Sequence, residues 1–200
     1  MNSILCTDPK HPIWPSLEKF ANEWGFDLQS SIEGLQGGEY LFLVSCTQFV
    51  EKSVRDRFKR VLVLHESDLP KGRGWSPLAW QILEGKQEIC ISLIEAEDKI
   101  DSGRIWAQEI VHIPKHELAD GISRIIWGAK QRLIKRCIGQ PLIPREQVGE
   151  PTYYKRRTPE DSRLDPFRSI ADQFELLRIC EPRFPAFFEY RGRRYEVTLR

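Results

Sequence analysis

The chain has 200 residues, with 30 Lys and Arg against 29 Asp and Glu, a net charge of +1 and 40% hydrophobic residues. This length allows one sizeable core with a small appendage but is too short for two full-sized domains. The near-neutral charge argues against a nucleic-acid binder, which needs a basic excess or stripe. No apolar run approaches the roughly 20 residues of a membrane-spanning helix, and no secretion signal is visible. We therefore expect a cytoplasmic globular protein without a membrane partner.

The first 65 residues predict alternating strands and helices. We expect a short strand at residues 3–6, a helix at 17–24 that ends at Gly25, and a short strand at 26–28. The continuous apolar run at 40–45 is typical of a parallel strand buried on both faces. A helix at 49–58 and a second buried strand at 60–65 would complete a βαβ unit.

The rest of the chain continues this pattern before it changes character. We expect a helix at 77–83, strands at 88–94 and 105–113, and a helix at 116–131. A Pro-rich charged stretch follows at 142–165, and the tail contains a helix-like piece and a hairpin-like end. The sequence thus predicts an α/β fold with a Rossmann-like, parallel-rich sheet at 1–140 and a small C-terminal element at 141–200.

Two titratable residues follow predicted strands. In an open parallel sheet, ligands bind at the carboxyl ends of the strands, and here loops 7–15, 45–48, 65–77 and 95–103 leave such ends. His65 comes directly after an apolar run, and Asp101 precedes Ser102 and Gly103. Together they could act as proton acceptor and orienting partner. The alternative is a capping histidine and a turn aspartate.

The cysteines and the remaining histidines do not indicate a metal site. The five cysteines lack a C-x-x-C pair, which is typical of reduced thiols rather than of a disulfide framework or a zinc site. His112 and His116 are four residues apart, but Pro114 between them prevents a shared helical face. We therefore expect no bound metal.

Three linked motifs are more specific than composition. They are His65-Glu-Ser-Asp-Leu-Pro70, Arg73-Gly74-Trp75-Ser-Pro77 and Ile100-Asp101-Ser102-Gly103. This series resembles the folate-dependent formyltransferases, whose shared pattern is His-x-Ser-x-Leu-Pro, Arg-Gly and Asp-(Thr/Ser)-Gly. The resemblance implies the formyltransferase core, shortened at the N-terminus because residues 1–39 match poorly.

The tail is similar to a narrower group. Thr152-Tyr153, Arg156-Arg157, Pro159-Glu160-Asp161 and Arg183-x-Pro185-Ala186-Phe187-Phe188 resemble the C-terminal segments of nucleotide-sugar N-formyltransferases. The first motif is closest to enzymes of bacterial surface-sugar pathways, including pseudaminic acid synthesis. The implied acceptor is a nucleotide-linked amino sugar, and we expect a UDP-linked 4-amino-4,6-dideoxy-hexose. The resemblance also implies a homodimer through the C-terminal element.

The family pattern implies roles for residues near the cofactor, which would be 10-formyltetrahydrofolate. His65 would stabilise the tetrahedral intermediate or shuttle a proton, and Asp101 would orient His65 or help to accept the proton. The folate would be read by the loop residues Glu95, Ala96, Glu97, Asp98 and Ile100. Val63 stands where the family usually has an oxyanion-binding Asn. We expect Ser67 or a nearby backbone N–H group to substitute.

Further residues are candidates for the acceptor. Arg73, Lys71, Arg156 and Arg157 suit a diphosphate, although the 155–157 run could equally be a solvated patch. Trp75 could stack on a ring. Tyr153 and Phe187 could hold a base or simply close a small core.

Two rival functions remain open at this point. One is formylation of methionyl-tRNA, against which the neutral charge and the sugar-type tail argue. The other is a folate or nucleotide-sugar binding protein with impaired catalysis, which Val63 would explain.

Overall fold

The computed structural model describes residues 1–199. The strands are Asn2–Leu5 (β1), Phe26–Gln29 (β2), Gly38–Leu43 (β3), Phe58–His65 (β4), Arg73–Gly74 (β5), Glu88–Glu95 (β6), Ile105–His112 (β7), Tyr153–Tyr154 (β8), Ala186–Tyr190 (β9) and Arg193–Val197 (β10). The α-helices are Trp14–Trp24 (α1), Lys52–Arg55 (α2), Pro77–Leu83 (α3), Ala119–Gly139 (α4) and Phe174–Ile179 (α5). Short 3-10 helices lie at Ile32–Gly34, Pro159–Ser162 and Ala171–Gln173. No helix in this part of the chain is both long and apolar enough to cross a membrane.

Six strands form one central sheet in the order β2-β1-β3-β4-β6-β7. The first four are parallel, whereas β6 is antiparallel to both β4 and β7. The predicted parallel-rich α/β fold is therefore confirmed, but loop 95–103 does not leave a parallel strand as expected. Glu95, the last residue of β6, pairs with Leu62 of β4. The loop after Glu95 turns back along β4, which brings Asp101 to His65 at the end of that strand.

The two faces of the sheet pack against different helices. On one face, α1 and α4 cover a large apolar cluster that includes Leu17, Phe20, Leu64, Ile126 and Leu133. On the other face, α2 covers a smaller cluster with the members Leu5, Leu35, Leu41, Leu43, Val50, Val54, Phe58 and Val61. Because side chains alternate along a strand, successive residues of β4 serve opposite clusters. Side chains at the end of β4 therefore point towards both faces of the sheet.

Two helices differ from the sequence-based bounds. The predicted helix at 49–58 is a single turn, because Phe58 pairs with Gly38 as the first residue of β4. Helix α4 starts later than residue 116, since Leu118 is still extended. It also runs past residue 131, because Leu133, Ile134 and Cys137 continue its buried face.

Residues 141–199 pack across the α/β core. Strand β8 pairs in parallel with β5, which lies in the loop after His65, and Arg145 bridges to Ile105 at the start of β7. The hairpin β9–β10 forms its own two-stranded sheet. A boundary at residue 140 stays a prediction, and many contacts cross it.

One buried arginine fastens the tail to the core. Arg178 on α5 is 1% exposed, and its Nε donates to the Glu175 carboxylate at 2.6 Å. Its Nη1 donates to the carbonyls of Pro114 and Glu117 at 3.3 and 3.2 Å, just before α4. A guanidinium in this position satisfies carbonyl groups that the helix α4 does not use.

A capping box orders the segment that carries the paired arginines 156 and 157. The backbone N–H and hydroxyl of Thr158 donate to the Asp161 carboxylate at 2.7 and 2.9 Å. The Lys155 ammonium lies 3.0 Å from the same carboxylate. The Thr158 backbone bond, with help from Lys155, lowers the pKa of Asp161 to about 2.

We predict that Arg178→Ala lowers the free energy of unfolding by about 2 to 4 kcal/mol, because it removes three hydrogen bonds to a buried charged group. Urea unfolding measures the effect. The control Lys19→Ala changes an exposed residue of α1 and should stay within about 0.5 kcal/mol of wild type. Equal stability of the two variants would contradict the role of Arg178 as the anchor of the tail.

We predict that Asp161 contributes stability above its unfolded pKa of about 4, and that this contribution is lost as the pH falls towards about 2. The destabilisation caused by Asp161→Asn should therefore be present near neutrality and should shrink in acid. Unfolding curves collected across this pH range test the prediction. Asp172→Asn, at an exposed carboxylate, should show no such pH dependence.

Candidate active site

A cavity of about 1080 Å³ opens where β1, β3 and β4 end. The chain segments that enclose it are the loops after these strands, loop 95–101, helix α4 and the tail. Of the residues singled out in the sequence, the following line it: His65, Trp75, Glu95, Ala96, Glu97, Ile100, Asp101, Arg156 and Arg157. The structure thus brings most of the predicted site together.

His65 and Asp101 face each other at the cavity wall. Nδ1 of His65 lies 3.6 Å from Oδ2 of Asp101, and both side chains are largely buried, with 7% and 9% exposure. Nε2 of His65 lies 2.8 Å from the carbonyl oxygen of Gly72. Because a carbonyl can only accept, Nε2 carries the hydrogen in this arrangement. Nδ1 is therefore the nitrogen left to take up a proton beside the carboxylate.

Two glycines of the motifs are required by close backbone approaches. Gly74 has φ +98°, and a Cβ there would lie 2.5 Å from the Tyr154 carbonyl oxygen. Its N–H donates to Oδ2 of Asp101 at 2.8 Å, which orients the carboxylate. A Cβ on Gly103 would lie 2.0 Å from the Glu95 carbonyl oxygen. A larger residue at Gly103 would displace the loop that carries Asp101, and one at Gly74 would push β8 away from β5.

Gln147 holds this loop from the outside. Its Nε2 donates to the carbonyls of Asp101 and Gly103, each at 2.8 Å. Its Oε1 accepts from Nε and Nη2 of Arg73 at 3.2 and 2.7 Å. One amide therefore connects the Asp101 turn, the Arg-Gly motif and the segment that leads into the tail.

One side of the cavity is apolar and continuous with the α2 face of the sheet. Leu43, Val50, Val63 and Ala96 pack in the same cluster and line the cavity, and Ile100 lines it as well. The N–H of Ala96 donates to the Val61 carbonyl, which ties the start of loop 95–101 to β4. We call these five residues the apolar wall.

The other side of the cavity contains a buried ion pair. Glu66 follows His65 directly, and its Oε1 contacts the Nζ of Lys130 on α4. Lys130 is 3% exposed and Glu66 is 18% exposed. Burial by itself would raise the pKa of Glu66, but the Lys130 ammonium and the His65 imidazole outweigh it and lower the pKa.

An ionic network joins the first loop to the tail on this second side. The Arg183 guanidinium contacts the Asp8 carboxylate and lies 2.8 Å from that of Glu181. His11 lies in the same region, where burial lowers its pKa despite the nearby Glu181 carboxylate. All four residues line the cavity. We call this side, together with Glu66 and Lys130, the polar wall.

The paired arginines reach the cavity from the tail. The Arg156 guanidinium lies 5.1 Å from the Trp75 ring centroid, a cation–π arrangement. Nη2 of Arg157 donates to the Asp161 carbonyl at 3.0 Å and to the Ser162 hydroxyl at 3.2 Å. These contacts fix two guanidinium groups at the cavity, where an anion can reach them.

Five predicted site residues do not line the cavity. Ser67 is 2% exposed, and its hydroxyl packs near Gly72. Arg73 is buried against Gln147 and Tyr153, and the Tyr153 ring is mostly exposed to solvent. Lys71 is exposed, and Asp98 forms an ion pair with Arg55. None of these five side chains lines the cavity, and their predicted contacts with ligand stay predictions. Phe187 is fully buried in the small C-terminal core.

Sequence reasoning did not identify several residues of the site. Glu66, Lys130, Gln147, Asp8 and Arg183 meet only in the folded chain. Lys130 had one available signal, since it is a charged residue on the buried face of an amphipathic helix. Within residues 1–199, no three His, Cys, Asp or Glu side chains come together in a way that could hold a metal ion.

Comparison with known proteins agrees with this architecture. The sequence model of the family described as "Formyl transferase" matches residues 18–137, more than half of the chain. A methionyl-tRNA formyltransferase from Clostridium thermocellum is 25% identical with a TM-score of 0.85, covering 100% of this chain and 92% of its own.

Two further solved structures share the fold at lower identity. A sugar N-formyltransferase from a Shewanella species is 14% identical with a TM-score of 0.70, covering 100% of this chain and 97% of its own. HypX from Aquifex aeolicus, solved with tetrahydrofolic acid, is 14% identical with a TM-score of 0.72, covering 99% of this chain and 37% of its own. Since the family match spans most of the α/β core and the site within it, this chain belongs to the formyl transferase family.

Proposed function

We propose that the protein transfers a formyl group from 10-formyltetrahydrofolate to the amine of a nucleotide-linked amino sugar. The observation that carries this proposal is the position of the His65–Asp101 pair in a cavity with one apolar and one polar, charged wall. The cavity of about 1080 Å³ is at the upper end of the roughly 300–1,000 Å³ of a single small-molecule site. It therefore has room for a donor and an acceptor side by side.

The apolar wall fits a folate. A flat heteroaromatic ring needs apolar side chains on its faces and backbone groups along its edge. Leu43, Val50 and Val63 supply such a surface, and loop 95–101 borders it with main-chain groups. Bound there, 10-formyltetrahydrofolate would supply an activated formyl carbon and a leaving nitrogen that accepts a proton.

The protein's part in the reaction is to move protons and to stabilise charge. As the acceptor amine forms its bond to the formyl carbon, it must lose a proton, and Nδ1 of His65, which carries no hydrogen while Nε2 donates to Gly72, would take it. The Asp101 carboxylate, fixed by the Gly74 N–H group, compensates the charge that then forms on the imidazole. His65 can return this proton to the leaving nitrogen of the donor.

Val63 leaves the oxyanion without the amide that the family pattern has at this position. The residue lines the cavity as part of the apolar wall. Loss of one oxyanion donor can cost about 3 kcal/mol of transition-state stabilisation. Ser67 does not face the cavity, so a backbone N–H group of the surrounding loops remains as the substitute donor. A slow reaction is consistent with this arrangement.

Two arginines of the tail and one tryptophan, which also line the cavity, support a nucleotide-linked acceptor. Arg156 and Arg157 come from the tail, and guanidinium groups match the geometry of phosphate oxygens. Trp75, already covered by Arg156 on one face, borders the same region. A UDP-linked 4-amino-4,6-dideoxy-hexose of pseudaminic acid synthesis is the specific acceptor we propose to test first.

Formylation of methionyl-tRNA is a second candidate, which the structural similarity to the Clostridium thermocellum enzyme favours. The net charge of +1 disfavours it, because a tRNA carries one negative charge per nucleotide and is bound mainly through its phosphates. Several exposed basic residues also have acidic neighbours, as in the pairs formed by Lys52 and Lys59.

We predict that His65→Asn and Asp101→Asn each lower kcat/KM by about 100-fold or more while the affinity for the folate stays within about threefold. Steady-state kinetics and folate titration measure the two quantities. His116→Asn and Asp56→Asn alter exposed residues and should behave as wild type. Wild-type rates in both site variants would remove this pair from the mechanism.

The function is tested by supplying 10-formyltetrahydrofolate with UDP- and dTDP-linked amino sugars and, separately, with methionyl-tRNA. We expect a formylated amino sugar, identified by mass spectrometry. Formylated methionyl-tRNA alone would establish the second candidate instead. Folate binding without any formyl product would identify a binding protein, which the loss of the family Asn at position 63 would explain.

A further inference from the structure

The carboxylates that line the cavity differ in their partners. Asp8 and Glu181 share the Arg183 guanidinium. Asp101 faces His65 and accepts from Gly74. Glu95, at the edge of loop 95–101, is bound by Arg104 and by the Trp106 indole. Glu97 is exposed on loop 95–101, whereas Glu66 pairs with Lys130 and follows His65 directly in the chain.

The ion pair of Glu66 is oriented towards the cavity. Lys130 is almost fully enclosed, whereas Glu66 keeps 18% of its side-chain surface exposed and lines the cavity. The part of the pair that a ligand can reach is therefore mainly the carboxylate. Its backbone is fixed as well, because Nε2 of Gln81 donates to the Glu66 carbonyl at 2.6 Å.

From this placement we infer that Glu66 binds the amino group of the acceptor, with Lys130 as its positioning residue. The inference deepens the proposed function and rests on it. The side chains of His65 and Glu66 leave the end of β4 in different directions, but both line the cavity, so a nitrogen bound by Glu66 would approach the imidazole from the cavity. The three motifs of the sequence assign no role to this position.

The electrostatic environment of Glu66 suits a carboxylate that attracts a positive charge without accepting the proton of the amine. The lowered pKa of Glu66 makes it a weak base but a permanent anion. During attack, positive charge develops on the acceptor nitrogen, and a fixed anion close to it stabilises the transition state. Proton removal is then left to His65. The ammonium of Lys130, which contacts Glu66, would repel this charge if the carboxylate were absent.

The test compares two ligands in two forms of the protein. The ligands are the nucleotide-linked amino sugar that the wild type formylates fastest and its counterpart with a hydroxyl in place of the amine. The variant is Glu66→Gln combined with Lys130→Met, which removes both charges and leaves no unpaired buried ion. The control is Glu39→Gln combined with Lys59→Met, the same changes at an exposed pair.

We expect the wild type and the control to bind the amino sugar about 10- to 100-fold more tightly than the hydroxyl analogue, as a charge-assisted hydrogen bond would produce. In the Glu66/Lys130 variant this ratio should fall close to one, with folate affinity unchanged. A purely structural ion pair would weaken both ligands equally, and an unchanged ratio would therefore overturn the inference.

Two further outcomes are distinguishable. If the double variant does not fold, Glu66→Asp retains the charge beside Lys130 but is one methylene shorter, and it should reduce the ratio at least about threefold. A wild-type ratio in that variant would also overturn the role of Glu66. If the wild type formylates no amino sugar, the proposed function fails and this inference fails with it. Product formation with an unchanged ratio removes Glu66 alone.

Discussion

The candidate site depends on where the Asp101 carboxylate is held. It accepts a hydrogen bond from the Gly74 N–H and faces Nδ1 of His65, so it joins three segments that are far apart in the chain. The arrangement is possible because Gly74 and Gly103 allow backbone approaches that a side chain would block. Gln147 then fixes the Asp101 turn through two carbonyl groups. The motif glycines and the His65–Asp101 pair therefore depend on the same set of backbone contacts.

The tail completes this construction. Strand β8 pairs with β5, which carries Gly74, and the segment after β8 supplies Arg156 and Arg157 to the cavity. Arg178 and Arg183 fasten the rest of the tail to the core and to the first loop. A chain that ended after α4 would lack the partner of β5, the Gln147 support and both arginines. The residues beyond 140 thus shape the site as much as the sheet does.

The apolar side and the charged side of the cavity meet at the end of β4. Val63 belongs to the apolar wall, His65 faces Asp101, and Glu66 turns towards α4, where Lys130 lies. A buried ion pair contributes little net stability on average, because desolvation offsets the attraction. Its place next to His65 is the reason for proposing that Glu66 contacts a ligand. The same strand end that positions the proton acceptor would then also position the nucleophile.

The sequence by itself predicted the strands of the central sheet, because these depend on local apolar patterning. It also predicted the family motifs and the pairing of His65 with Asp101, because these depend on short motifs and their spacing in the chain. It did not determine the direction of β6, since the strand run at 88–94 is equally compatible with either orientation. It also assigned Arg73 to a diphosphate, although the Gln147 side chain accepts two hydrogen bonds from its guanidinium. Glu66 and Lys130 lie 64 positions apart in the numbering, and only the packing of α4 on the sheet makes them a pair. Local pattern can predict which residues carry chemistry, but tertiary packing decides which of them have a partner already and which remain for a ligand.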